Sequence, residues 1–359
     1  MTTLKQWVLV TADGPQLRDP LVAVRALASA GFQPAIAVSP GGSLAAASRF
    51  CRRRINVPHP TTEGWLPAIR QELSRNDYLT VLPASEVALL ALGVSTPHLV
   101  NKAELARRGE IVGIPAPPSL HFEGTADLLG AANELPYPVI VKPAVHRYYA
   151  SRVESPEGLA ASVLEDGPVM VQPFLDDGLR AVSGVVWKGS LVAAVHERWF
   201  RIWRFYAGVA TAAETTEPDL ALEERLLALL EGYEGYFHAQ FAGPYLLDLN
   251  LRVHTSHPLA VAAGVNLVGI YCDVLRGEEV SPARARPGVF FRWLEGDVRH
   301  LLKAVRLGQM SAGQALRELR PRRGTAHSTE SLTDPGPTFN RLWYAAKRIA
   351  ESLRDRDAA

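Results

Sequence analysis

From Leu247 to Arg252 the chain alternates strictly, Leu-Asp-Leu-Asn-Leu-Arg. Alternate side chains of a strand share a face. This segment therefore reads as a strand with Asp248, Asn250 and Arg252 on one side and Leu247, Leu249 and Leu251 turned into a core. A Gly243-Pro244 turn precedes it, and the apolar run Phe237–Phe241 reads as its hairpin partner, carrying Gln240 within reach. One carboxylate and one or two amides are the oxygen ligands that Mg²⁺ takes when substrate phosphates and waters complete its shell. An arginine beside them suits a phosphoryl group that has to be held and neutralised. An amphipathic strand with its polar face in water has the same pattern, so the segment alone leaves both readings open.

The N-terminal part alternates in another way. Trp7 to Thr11 is a short apolar run ending in the loop Ala12-Asp-Gly-Pro15. Leu21, Val24, Leu27 and Ala28 then recur at helical spacing, Gly31 stops that helix, and Pro34–Val38 reads as the next strand. Tyr78–Leu82 is a further apolar run, and a helix starts near Ser85 or Glu86. Strand, helix and strand in alternation predict a parallel sheet with crossover helices. Ligands of such sheets bind outside the carboxyl ends of the strands, where the loop 11–15 and the turn 83–86 lie. The first loop lacks GxGxxG, which argues against a dinucleotide enzyme.

Composition narrows the class. At roughly 100–200 residues per domain, 359 residues suggest two or three domains. Lys plus Arg is 38 and Asp plus Glu is 37, so no whole-chain charge favours nucleic acid or an anionic membrane as partner. The only cysteines, Cys51 and Cys272, make neither a disulfide framework nor a cysteine zinc site. The longest apolar stretches, such as Val87–Val94, fall short of the ~20 residues that span a bilayer. The run Trp7–Ala12 is too short for a signal-peptide core. A soluble cytoplasmic protein is expected.

Further motifs follow in order. Asn101-Lys102 opens a helix, and Pro138-Val-Ile-Val-Lys142-Pro143 is a strand that ends on a lysine. Val169-Met-Val-Gln172-Pro173-Phe174-Leu175 is another strand, and Gly184–His196 reads as two strands joined at Lys188-Gly189. Then come His238-Ala-Gln240-Phe-Ala and Asp248-Leu-Asn250-Leu-Arg252. Two lysines converging on a phosphate chain make good point-charge clamps. Together these motifs, in this order, resemble those of the ATP-grasp superfamily of carboxylate–amine ligases. The Gln240 segment looks most like that of the carbamoyl phosphate synthetase large subunit, and biotin carboxylase is similar. The resemblance covers about residues 5 to 280.

The resemblance implies a mixed α/β and α+β fold: a parallel N-terminal domain (1–100), a small subdomain (101–171), a large subdomain with the metal strand (172–283), and a mainly helical C-terminal extension (284–359). Lys102 and Lys142 would hold ATP phosphates. Gln172, Pro173, Phe174 and Leu175 would meet adenine through the backbone. Gln240, Asp248 and Asn250 would bind one or two Mg²⁺ ions, with Mn²⁺ as a substitute. Arg252 would steady the γ-phosphate or an acyl phosphate. The implied partners are a small-molecule carboxylate donor and an amine or similar nucleophile. The extension would pack over the large subdomain or make an oligomer contact, with a homodimer as the assembly it allows.

Three positions depart from the superfamily pattern. Asp248 stands where glutamate is usual, the hinge holds Gln172 instead of an acid, and the stretch 144–152 after the second lysine has no glycine. Arg147 and Arg152 are the residues there that could cover phosphates instead. Arg198, Arg201 and Arg204 surround Trp199 and Trp203 near a strand end. Arg198 is the candidate fork for the donor carboxylate, while packing of the tryptophans is the competing account. His254 and His257 read as ordinary loop residues. The leading function is an ATP- and Mg²⁺-dependent ligase. The alternative is a degenerate relative that binds nucleotide without turnover and serves as a partner or sensor.

Overall fold

The computed structural model describes residues 6–143, 150–162 and 167–357, with side chains as far as Lys347. Arg147 and its neighbours 144–149 lie outside the described residues. Strands β1 (Trp7–Ala12), β2 (Gln33–Val38), β3 (Arg53–Asn56) and β4 (Tyr78–Leu82) form a parallel sheet in the order β3-β2-β1-β4. Val8, Val10 and Ala12 of β1 pack on Leu21, Val24 and Leu27 of the helix Asp19–Ser29. Leu9 points the other way, onto Trp65, Ile69 and Ala88. Burial on both faces explains why this strand is continuously apolar. Val268 and Cys272, from the helix Leu267–Leu275, join the first of these clusters and weld the N-terminal sheet to the rest of the chain.

A second, antiparallel sheet contains β5 (Leu120–Phe122), β6 (Val139–Pro143), β7 (Ser151–Val153) and β8 (Val169–Pro173), in the order β5-β8-β6-β7. Val139, Val141, Val169 and Val171 pack on Leu128 and Leu159. Period-2 alternation then turns Ile140, Lys142 and Gln172 to the opposite face. Ile140 sits opposite Gln172 in the β6–β8 ladder.

The large sheet follows. Its strands are β9 (Leu179–Trp187), β10 (Ser190–Trp203), β11 (Val209–Thr215), β12 (Gly235–Ala242), β13 (Tyr245–Asn250), β14 (Ala283–Arg284), β15 (Phe290–Arg292) and β16 (Ala326–His327). The order is β13-β12-β9-β10-β11-β15-β16, and β14 pairs with β10. On one face, Phe237 and Phe241 pack against Leu222, Leu226 and Leu229 of the helix Leu220–Leu229 and against Leu99 and Leu105. Each such fully buried side chain stabilises the fold by about 1.5–3 kcal/mol. The helix Lys102–Ile111 therefore docks on the large sheet. Its start is fixed by Asn101, whose side-chain oxygen accepts from the Ala103 and Glu104 amides.

The C-terminal part combines strands and helices. The stretch Phe290–Leu307, which has helical spacing in sequence, divides into β15 and the helix Leu294–Arg306. Phe290 and Phe291 pair with the otherwise open edge of β11. Two buried carboxylates tie this part down. Asp297 accepts from Arg201 Nε at 2.6 Å and Nη2 at 3.2 Å, and lies 3.1 Å from Arg292 Nε. Asp334 accepts from Arg25 Nε at 2.9 Å, Ser48 Oγ at 2.7 Å and the Arg49 amide at 2.9 Å. Among the described residues, no helix is long and apolar enough to cross a membrane.

Candidate functional site

A cleft of about 220 Å³ opens where the small and large sheets meet. Lys102 and Lys142 line it, together with Gln172, Pro173, Phe174 and Leu175 of the segment that joins the two sheets. Gln240, Asp248, Asn250 and Arg252 line its floor. Nearly all the side chains singled out in the sequence are thus brought together from four separate stretches of chain.

Local structure explains how. Gln240 pairs with Asp248 and His238 with Asn250 in the β12–β13 ladder, so all four share a face. A register shift follows Gln240, and Phe241 pairs with Leu246. Leu247 is the extra residue of this bulge, and it leaves the core. Leu246, Leu249 and Leu251 are the leucines that pack inward, while Leu247 lines the cleft. Its freed carbonyl accepts a hydrogen bond from Lys142 Nζ at 3.0 Å.

The charges are arranged as a chain. Lys102 Nζ donates to Asp248 Oδ1 at 2.7 Å, and Asn250 Nδ2 donates to Asp248 Oδ2 at 3.2 Å. Burial works against the Lys102 ammonium, but Asp248 and Glu86 outweigh it and raise its pKa. Lys142 donates instead to the Leu247 carbonyl. Burial, with Lys102 nearby, lowers it to about 7 despite Asp248. Arg252 Nη1 donates to Asp19 Oδ1 at 3.1 Å, while its Nε is buried with no hydrogen-bond partner among the described residues. Such an orphaned guanidinium N–H beside two lysines suits an anionic ligand. One carboxylate and two amides are a hard oxygen set that fits Mg²⁺, completed by water and phosphate. Gln172 Nε2 donates to Ser119 Oγ at 2.8 Å.

Arg198 does not join this group. It pairs with Glu214 across the β10–β11 ladder, with Nη2 3.4 Å from Oε1, and its side chain is 57% exposed. Trp199, its neighbour on the opposite face, lines the cleft instead. Arg201 belongs to the buried Asp297 cluster. Replacing Arg198 with alanine is accordingly expected to leave nucleotide affinity unchanged and to shift stability by no more than about 0.5 kcal/mol. Titration calorimetry and melting of the variant check this.

Beneath the floor lies a polar network that the sequence reading missed. His254 Nδ1 contacts Ser256 Oγ at 2.8 Å, and its Nε2 contacts Ser183 Oγ at 3.0 Å. Ser183 also reaches His238 Nδ1 at 2.8 Å. Glu197 Oε1 accepts from Ser256 at 2.9 Å and from the Trp199 indole at 2.9 Å. Burial lifts the Glu197 carboxyl to about 7, drops His238 to about 3 and His257 to about 4, and holds His254 well below its ordinary value. The imidazoles are therefore neutral at neutral pH. Glu197, His238 and His254 bring ligand atoms within 4.8 Å of one another. The His238 and His254 rings, however, stack 3.8 Å apart at 14°. One nitrogen of each ring already bonds Ser183 Oγ, and the other nitrogen of His254 bonds Ser256 Oγ. The network instead braces Trp199 and the segment after β13. Its one sequence signal was the alternation that aligns His238 with Gln240.

No protein-family model matches the chain. In sequence it is 30% identical over 210 residues to the carbamoyl phosphate synthase large chain of Pyrococcus furiosus, a match spanning 52% of this chain and 19% of that relative. The chain thus spans about a fifth of the length of the curated relative it matches. In structure it is similar to the L-amino acid ligase from Bacillus licheniformis, with a TM-score of 0.55 and 15% identity over 77% of this chain and 75% of that one. It is also similar to the biotin carboxylase domain of Hydrogenobacter thermophilus 2-oxoglutarate carboxylase, solved with MgADP and bicarbonate, with a TM-score of 0.56 and 14% identity over 80% and 74%. By its sheet topology, by the order of its motifs and by these likenesses, the chain carries the ATP-grasp fold.

Proposed function

We propose that the protein is an ATP- and Mg²⁺-dependent ligase that activates a small-molecule carboxylate for attack by an amine or similar nucleophile. A carboxylate oxygen attacks the γ-phosphorus and ADP leaves. The nucleophile then attacks the acyl carbon, phosphate departs, and the nucleophile loses its proton. The observation that carries this reading is the convergence of Lys102, Lys142, Asp248, Asn250 and Arg252 on one cleft. Gln240, Asp248 and Asn250 would hold Mg²⁺, which supplies charge neutralisation on the transferring phosphoryl group. Lys102, Lys142 and Arg252 bind and orient the phosphates, and the backbone of 172–175 meets the base. Work in such sites is mainly positioning. The relatives named above act on small molecules, and the same is proposed here, with a second copy of the chain as the assembly partner and the cytoplasm as the compartment.

ADP release across a panel of carboxylates and amines tests the reading. Nucleotide binding with no release under any pair would favour the alternative, a nucleotide-binding protein without turnover. The lysines add a pH test. A phosphate oxyanion raises the pKa of Lys142 from about 7, so binding takes up a proton at any pH between the free and bound values. Affinity is then flat at low pH and falls as pH rises through 7. Lys142→Ala should weaken binding roughly ten- to a hundredfold, for loss of a charged hydrogen bond, and should remove the pH dependence. Calorimetry with a non-hydrolysable ATP analogue in two buffers of different ionisation enthalpy reads both effects. Equal proton uptake in wild type and variant would overturn the assignment.

A further inference from the structure

One contact bridges the two lobes of the cleft without hydrogen bonds. Arg152, at the middle of β7 in the small sheet, places its guanidinium carbon 4.0 Å from the Phe174 ring centroid and 4.1 Å from that of Tyr206. Phe174 belongs to the segment joining the sheets, and Tyr206 to the loop between β10 and β11 of the large sheet. Both rings line the cleft and meet edge to face at 5.5 Å and 81°. Among the described residues, the carboxylate that Arg152 pairs with is Glu154 of its own segment, with Nε 2.9 Å from Oε1. That pair cannot draw the small lobe toward the large one, whereas the two rings can.

Tyr206 is held in a conformation its own chemistry disfavours. Its φ is +71°, a left-handed value that a bulky residue rarely adopts unless its surroundings impose it. Phe205 packs edge-on against it at 4.5 Å, and Gln309 donates to its hydroxyl at 2.7 Å. The loop is also tightly closed on itself. A Cβ at Gly208 would lie 2.0 Å from the Arg204 nitrogen, so only glycine fits there. The protein thus maintains a strained loop that presents one ring to an arginine from the opposite lobe.

We propose that Arg152, Phe174 and Tyr206 form a clasp that closes the two lobes over the occupant of the cleft, with Arg152 as a positioning residue that sets how fast a bound nucleotide leaves. The occupant's identity rests on the proposed function, whereas the clasp itself does not. The guanidinium is suited to this because its planar, weakly hydrated face lies against aromatic rings, which a lysine ammonium does less well.

Release of the fluorescent nucleotide mant-ADP, with Mg²⁺, from the full chain is followed by stopped flow after a chase of excess ADP. Arg152→Ala, Arg152→Lys and Tyr206→Asn should each release it about tenfold faster or more. Asparagine is chosen because it tolerates the left-handed backbone. Tyr206→Phe, which keeps the ring, should stay close to wild type, a rescue that a loss of general loop stability would not give. The double variant Arg152→Ala/Tyr206→Asn should be no faster than the faster single one, because both break the same clasp. Wild-type release from Arg152→Ala, or multiplicative effects in the double variant, would overturn the proposal. Hydrogen exchange of nucleotide-free protein supplies the independent arm. Amides of 204–209 should exchange faster in Arg152→Ala and Arg152→Lys, and unchanged exchange overturns the clasp. If wild type holds no mant-ADP, the nucleotide reading fails and the exchange result alone decides the clasp.

Discussion

Asp248→Asn is expected to lower turnover by about a hundred- to a thousandfold while the chain stays folded. The substitution conserves volume, so β13 still pairs with β12 and Leu249 and Leu251 still pack. Two things are lost. Asp248 supplies the only carboxylate among Gln240, Asp248 and Asn250, and an amide offers a divalent cation a neutral dipole where it had a charge. Asp248 also holds Lys102 at 2.7 Å, and loss of that partner lets the buried ammonium's pKa fall. Nucleotide affinity should change less than kcat, because Lys142 and Arg252 remain. Asp248→Glu keeps the charge with one more methylene and should retain part of the activity. ADP release across increasing Mg²⁺, with thermal melting of each variant, is the measurement. Near-wild-type turnover by Asp248→Asn would mean that this strand does not carry the chemistry.

The second large effect lies outside the cleft. Asp297→Ala should destabilise the protein by about 3–5 kcal/mol. Asp297 is fully buried and faces Arg201 and Arg292, which are 9% and 3% exposed. Removing it leaves Arg201 with Glu318, at 2.7 Å, and Arg292 with backbone carbonyls of residues 318–320. Breaking one partner of a buried ion cluster costs more than the cluster contributes as a whole, because the remaining charges cannot return to water. Urea unfolding read at Trp293 and Trp199 should show the loss. A change below about 1 kcal/mol would mean that the two guanidinium groups reach solvent once the carboxylate is gone.

These two residues differ in how far sequence reveals them. Asp248 sits in an alternating strand beside an amide and an arginine, a local pattern whose period is the period of the backbone itself. Asp297 sits in an amphipathic helix, where an acidic residue in the first turn looks like any favourable helix start. Its partners lie 96 residues upstream and at Arg292. The same divide separates Arg198 from Trp199. Three arginines and three aromatics in one stretch do not reveal which point inward, because β10 shifts register between Trp199 and Ile202. A one-residue slip exchanges the faces of every side chain beyond it.

The bulge at Leu247 is the sharpest instance. Alternation alone buries Leu247, whereas in the folded chain Leu246 takes that place and the Leu247 carbonyl anchors Lys142. What the sequence determined by itself was therefore everything with a short period: the parallel N-terminal units, the valine strands of the small sheet, the polar face of β13, and the order of motifs that names the fold. What only the tertiary structure decided was register and partnership: the bulge, the face Arg198 takes, the neutral histidine stack and the contact of Arg152 with Tyr206. Local periodicity follows from backbone geometry, which each residue carries with it. Register and partners depend on contacts between residues far apart in the chain, whose energies exist only once the sheets have come together.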